Sequence, residues 1–371
     1  MAVSSRTFPR QRDYSKLFIS LAMLAAIVAI APIAAAVLGY GSRAVTPKTA
    51  FATAPGGDYA VIGRTENGAD VISVAWADNP GAVTEIARVP HLEGFASTGA
   101  VSPDGKLLAL VTVDGGSATH PKGSLKVIGL ETGLMTNVIS DVAPGQTPVW
   151  EADGSRIVAV LNPATDGAFR VVSAKADGKD ETQLDAFSGV LGVYPVGFSR
   201  GALALVVIDG RGSTLRIGGK DWGNLAGGIT RDWRLSPDGT HIAFIETQTD
   251  SGVRYVARTL SLSTPGASAQ ALSAPVSALG AAWNPKTAQA QFGLEPGASE
   301  VAGVSVQALS AGTGDGFDVP MAFSNDGDHL FVTRWSGSSF QEPGKPVLQI
   351  VSAGGRANYE SFTRFYGWAA R

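Results

Sequence analysis

The chain has 371 residues, with 29 Lys and Arg against 32 Asp and Glu, 46 glycines, 20 prolines and no cysteine. Apolar residues at 44% and charged residues at 16% support a large core and exclude disorder, coiled coil and collagen; the weight of turn formers excludes a mainly helical fold. Without cysteine there is no disulfide framework, thiolate metal site, cysteine nucleophile or lipid-bearing cysteine. The near balance of charge lacks the basic stripe that nucleic acid demands, so none is expected as a partner.

Residues 1–16 form a basic tail, with Arg6, Arg10, Arg12 and Lys16 against Asp13. Residues 17–39 follow without one ionisable side chain, which is longer than the ~20 residues a helix needs to cross a bilayer. Pro32 is tolerable in such a helix where neighbours satisfy the freed carbonyl. The positive-inside bias then predicts a cytoplasmic amino terminus and an exported remainder. The small residues Ala34, Ala35 and Ala36 also suit a signal cleavage site, but the apolar run is long for a signal peptide, so an uncleaved anchor is preferred. Residues 40–50 read as a linker, and residues 51–371 as the exported domain. Linker and domain together, residues 40–371, keep 25 basic against 31 acidic groups once the tail is set aside.

From residue 50 onward one phrase recurs: VSPDGKLLALV at Val101, WEADGSRIVAV at Trp150, LSPDGTHIAFI at Leu235 and FSNDGDHLFVT at Phe323. Degraded copies begin at Thr53, Phe198 and Trp283, and Trp368 marks a further inner strand at the carboxyl end. The spacings are 48, 49, 48, 37, 48, 40 and 45 residues, the period of four-stranded propeller blades. Within each phrase Pro fixes φ, Ser and Asp offer oxygens to backbone N–H groups, and Gly permits a positive φ. A hairpin is therefore expected at every mark. In blade one, strands are expected near residues 59–64, 71–76 and 83–88; in blade two, beyond the phrase, at 124–130 and 134–139. The last blade gives 330–335 and 346–352. Residues 364–370 supply one more inner strand, whose natural place is beside blade one, because closure removes the exposed strand edges of an open ring. The predicted fold is thus all-β, a β-propeller of seven four-stranded blades, with six or eight as alternatives, preceded by one transmembrane helix.

The repeated phrase resembles the PD40, or WD40-like, repeats of the TolB-like propeller family, over most of residues 53–371. The resemblance implies the propeller and a habit of binding other envelope proteins. It departs from the family in having an anchor directly before the propeller, with no room for a separate preceding domain.

No G-x-S-x-G elbow, H-E-x-x-H helix, P-loop or EF-hand loop occurs. Asp104, Asp153, Asp238 and Asp326 are read as turn residues, not as a metal or acid–base ring, since Asp before Gly is explained by backbone hydrogen bonding. No metal or cofactor is expected. Trp150, Trp283 and Trp368 fall at one repeat position and are expected to pack between blades. Blade five is unusual: where other inner strands are small and apolar, it reads Arg231-Asp232-Trp233-Arg234, with alternation placing Asp232 and Arg234 on one face. Charge near a propeller axis is unfavourable unless paired or wetted, so this cluster is the first candidate for partner or ligand binding. Arg211 and Trp222, from the adjacent blade, and His120, in a polar loop, complete the candidates. The leading expectation is a protein-binding scaffold in the bacterial envelope; the alternatives are a lactonase-, lyase- or glycan-processing enzyme and a small-molecule sensor, with the site in the central channel.

Overall fold

The computed structural model describes residues 48–117, 119–163, 165–249, 252–271, 277–295 and 316–371. The basic tail, the apolar run 17–39 and most of the linker lie outside the described residues. Among the described residues no helix is long and apolar enough to cross a membrane; one short 3-10 turn, Ala50–Thr53, precedes the strands.

At each intact phrase the turn is built as its residues dictate. Ser102 Oγ donates to Asp104 Oδ1 at 2.6 Å, and Asp104 Oδ1 accepts the Lys106 amide at 3.1 Å. Gly105 takes the left-handed φ of 72°. Ser236 with Asp238 and Ser324 with Asp326 repeat the same Ser-to-Asp bond at 2.6 Å. In the WEADG copy, Glu151 stands in place of Ser, and Asp153 accepts from Ser155 instead, its amide at 2.9 Å.

These turns separate successive antiparallel strands. The first sheet holds Asp58–Glu66 (β1), Ala69–Trp76 (β2) and Asn79–Pro90 (β3). Thr98–Val101 (β4), Leu107–Gly116 (β5), Pro121–Gly129 (β6) and Met135–Val142 (β7) form the next meander. Val149–Trp150 (β8), Arg156–Leu161 (β9), Phe169–Lys175 (β10) and Thr182–Phe187 (β11) form another. A single pairing of Val142 with Leu161 joins these two meanders into one eight-stranded sheet. Gly192–Ser199 (β12), Ala202–Asp209 (β13), Gly212–Ile217 (β14) and Lys220–Ala226 (β15) make a separate four-stranded sheet. So do Thr230–Leu235 (β16), His241–Gln248 (β17), Arg254–Ser261 (β18) and Gln270–Ala271 (β19). Two described strands follow, Ala278–Asn284 (β20) and Gln289–Leu294 (β21). Phe317–Phe323 (β22), Leu330–Trp335 (β23), Pro346–Ser352 (β24) and Gly355–Tyr359 (β25) complete the series.

The last strand, Arg364–Ala370 (β26), returns to the first sheet and pairs with β1, Tyr59 opposite Ala369 and Ala60 opposite Trp368. The first strand of each unit also touches the next around a closed circuit: β26, β4, β8, β12, β16, β20, β22 and back to β26. The fold is therefore an all-β propeller whose edge problem is solved by its own terminal strand.

The core lies between the sheets, not in one centre. Phe51, Phe244 and Phe331 are fully buried, with Ile and Leu from neighbouring sheets around them; each such side chain contributes roughly 1.5–3 kcal/mol. Three tryptophans staple adjacent units in the same way. The indole N–H donates to a first-strand carbonyl of the preceding unit: Trp150 to Ala100 (2.9 Å), Trp283 to Arg234 (2.8 Å) and Trp368 to Ala322 (3.1 Å).

Candidate functional site at the propeller axis

A cavity of about 430 Å³ opens where the inner strands converge. Gly99 and Ala100 of β4, Ala322 of β22 and Gly367 of β26 line it with small groups. Two arginines also line it, Arg234 from β16 and Arg364 from β26.

The Arg231–Arg234 cluster sits on an innermost strand, but simple alternation fails there. The β16–β17 register slips between Arg231 and Arg234, and Asp232 adopts a left-handed φ of 54°. A bulge of this kind re-aims side chains. The Asp232 carboxylate accepts the Gly280 amide of β20 at 3.1 Å and Arg231 Nε at 3.2 Å, so it is engaged with its own strand and the following one. Trp233 packs on Tyr194 of β12, ring centroids 5.0 Å apart. Arg234 alone of the cluster faces the cavity. Its Nη1 donates to Trp233 O at 2.9 Å and its Nε points at Met321 O of β22 at 3.5 Å. The guanidinium is open to water yet ringed by protein, and this desolvation holds its pKa below the ordinary arginine value, with the Asp232 charge opposing.

The other candidates are dispersed. Arg211 caps the β13–β14 turn, fully exposed and paired with Asp209 at 2.8 Å. Trp222 lies on β15, the outermost strand of its sheet, half-buried among apolar groups; its indole N–H is buried without an acceptor among the described residues. His120 is exposed in the β5–β6 turn, Nδ1 3.0 Å from Thr119 Oγ1. None of the three lines the axial cavity. Asp104, Asp153, Asp238 and Asp326 hold their hairpins as described, and donors from Ser236 and Thr240 draw the Asp238 carboxyl down to about 2.

Sequence reasoning missed the second arginine and a buried polar chain behind it. Arg364 Nη1 donates to Thr363 O at 3.1 Å, while its buried Nε has no acceptor among the described residues. Two residues on, Tyr366 is 5% exposed. Burial, reinforced by the Asp70 charge, pushes its phenol well above the usual tyrosine range. Tyr366 Oη lies 2.8 Å from Ser97 Oγ, Ser97 donates to Asp70 Oδ2, and Thr65 Oγ1 donates to Asp70 Oδ1 at 2.8 Å. His91 Nε2 lies 3.1 Å from the same Oδ1, and His91 Nδ1 is 2.9 Å from Leu92 O. Asp70, fully buried on β2, thus ties the closing strand to the start of β4. A usable signal was present: Arg364-Phe365-Tyr366 breaks the small, apolar habit of inner strands just as Arg231–Arg234 does. Asp70 showed only as a lone carboxylate inside an apolar strand. Among the described residues no group of three or more His, Asp or Glu could hold a metal ion.

The chain is similar in structure to TolB from Acinetobacter baumannii, at 13% identity, covering 85% of this chain and 67% of that one with a TM-score of 0.51. The putative TolB from Agrobacterium tumefaciens (14% identity, 85% and 92% covered, TM-score 0.45) and oligogalacturonate lyase from Vibrio parahaemolyticus (12%, 80% and 92%, 0.46) also match. At these identities the likeness is one of fold, the TolB-like β-propeller that the repeated phrase resembles. No family model matches the chain, and a search of curated proteins finds no match.

Proposed function

We propose that the chain is a membrane-anchored binding module of the bacterial cell envelope. In this reading residues 1–16 stay in the cytoplasm, residues 17–39 span the inner membrane, and a propeller of seven four-stranded blades stands in the periplasm or at the cell surface as a scaffold for envelope proteins. The observation that carries it is the closed circuit of seven first strands with β26 completing the first sheet. A ring closed this way is a rigid disc whose loops are free to serve recognition, and an anchor would raise its effective concentration toward a neighbouring complex. The seven-blade count rests on the same circuit, β20 and β21 being the described strands of the sixth unit.

The test is crosslinking in intact cells from a photoreactive residue at Thr147, which lines the axial cavity. One reproducible envelope protein is expected, and no partner at all would overturn the scaffold role. A periplasm-active reporter fused at Arg371 tests the topology; activity only in the cytoplasmic orientation would reverse it. A second reading, sensor or glycan-processing enzyme, is favoured by one observation, the convergence of Arg234, Arg364 and Tyr366 on a single cavity. A sugar or small ligand that copurifies while no protein partner is captured would select it.

A further inference from the structure

The axial cavity has a chemical polarity that its neighbourhood leaves unanswered. Each guanidinium carries five N–H donors in a planar fork. Arg234 uses two at most, on the carbonyls of Trp233 and Met321, and Arg364 uses one, on Thr363 O. Among the described residues neither forms an ion pair with a carboxylate. The nearby carboxylates are committed elsewhere: Asp232 to Arg231 and the Gly280 amide, Asp70 to Thr65, Ser97 and His91. Two cations therefore share a cavity of about 430 Å³ whose lining, among the described residues, includes no carboxylate. Small lining groups such as Gly99, Ala322 and Gly367 keep that space open for an incoming group.

Clefts with low-dielectric walls focus such a field, and arginine forks match a planar carboxylate in geometry as well as charge. We propose that the axial cavity is a carboxylate-recognition site whose two cationic walls are Arg234 and Arg364. The carboxylate comes either from an acidic segment of a protein partner or from a free small carboxylic acid. The assignment deepens the scaffold reading, on which it rests only for the macromolecular source.

The test uses the full chain in detergent and two probes in calorimetry, a blocked hexaglutamate peptide and succinate, with hexaglutamine as the neutral control. Hexaglutamate or succinate is expected to bind and hexaglutamine not. Arg234→Ala and Arg364→Ala should each weaken binding at least tenfold, the lysine variants should restore part of it, and added salt should weaken it. Arg211→Ala, which removes an exposed arginine that does not line the cavity, should leave binding unchanged. Binding of hexaglutamate alone assigns the source to a protein segment, and binding of succinate to a small acid. The proposal is overturned if neither probe binds at millimolar concentration, if binding survives the double alanine variant in folded protein, or if Arg211→Ala weakens it equally. A double variant that loses carboxylate binding but keeps the Thr147 crosslink would detach this site from the partner and leave the scaffold standing. Wild-type chain that binds succinate yet crosslinks to nothing would do the reverse.

Discussion

Replacing Asp70 with Asn keeps the shape of the side chain and removes its charge and one acceptor. In the native chain Ser97 donates to Asp70 Oδ2, which leaves the Ser97 oxygen to accept from Tyr366. An amide nitrogen at the Oδ2 position would donate to Ser97 instead, so one of the two hydroxyl protons, that of Ser97 or that of Tyr366, loses its acceptor. A buried hydroxyl left unsatisfied costs about 1–3 kcal/mol. Removing the carboxylate that accepts from Thr65 and faces His91 adds to this, because hydrogen bonds to a charged group contribute about 1.5–3 kcal/mol each. Thr65→Val, which removes one donor and leaves the carboxylate with two others, should lose only about 1 kcal/mol. Urea unfolding of the full chain in detergent, followed by tryptophan fluorescence, measures both. A loss below about 1 kcal/mol for Asp70→Asn, or a Thr65→Val loss as large, would show that the network between β2, β4 and β26 does not hold the closure.

The tryptophan staples predict a contrast. Trp283→Phe should destabilise by about 1 kcal/mol, because it removes the indole bond to the Arg234 carbonyl and trims the ring, whereas Trp222→Phe should be near neutral or stabilising, since it deletes a buried N–H that has no acceptor among the described residues; unfolding midpoints compare the two. At Asp238 the folded carboxyl titrates at about 2, below its value in the unfolded chain. Its contribution to the turn is therefore complete above the usual carboxylate range and lost as pH falls toward 2, and Ser236→Ala should move the midpoint upward in a carboxyl-selective NMR titration. Glycine in the turns is not equally replaceable. A Cβ on Gly105 would lie 2.2 Å from the Ala370 backbone nitrogen, while one on Gly154 meets nothing nearer than Pro103 Cδ at 3.8 Å. Both sit at positive φ, so both alanine variants lose about 1 kcal/mol or more, but Gly105→Ala should lower the melting temperature much further by wedging the closing strand.

The fold was legible because its information is local and repeated. The Ser-x-Asp-Gly phrase carries its own hydrogen bonds, and β23, β24 and β26 span the residues that periodicity assigns to them. Strand ends elsewhere run longer than their apolar runs, as in Asn79–Pro90, because pairing continues through polar positions. The site was less legible because it is made by register, which the innermost strands disturb. Slips occur in β12, β16, β20, β22 and in the β1–β26 pairing, where crowding and twist near the axis favour bulges. A period-two reading of Arg231–Arg234 therefore found the strand and missed that Asp232 turns to the neighbouring sheet. Arg364 and Asp70 are 294 residues apart in sequence, and only ring closure brings their strands to either side of β1.

The carboxyl end does more than complete a sheet. Arg371 exchanges backbone hydrogen bonds with Gly57 at 2.9 and 3.0 Å, and its side chain reaches the carbonyls of Ala52 and Ala54. Thr49 is fastened separately, to Glu131 O and Leu130 O, each at 2.7 Å. A pull applied upstream of Thr49 would thus be shared by two clasps before it reached β1, and β1 itself, gripped on both sides by β2 and β26, would have to slide along its length instead of peeling. Mechanical tension entering at that point would load the ring in shear, against many hydrogen bonds at once.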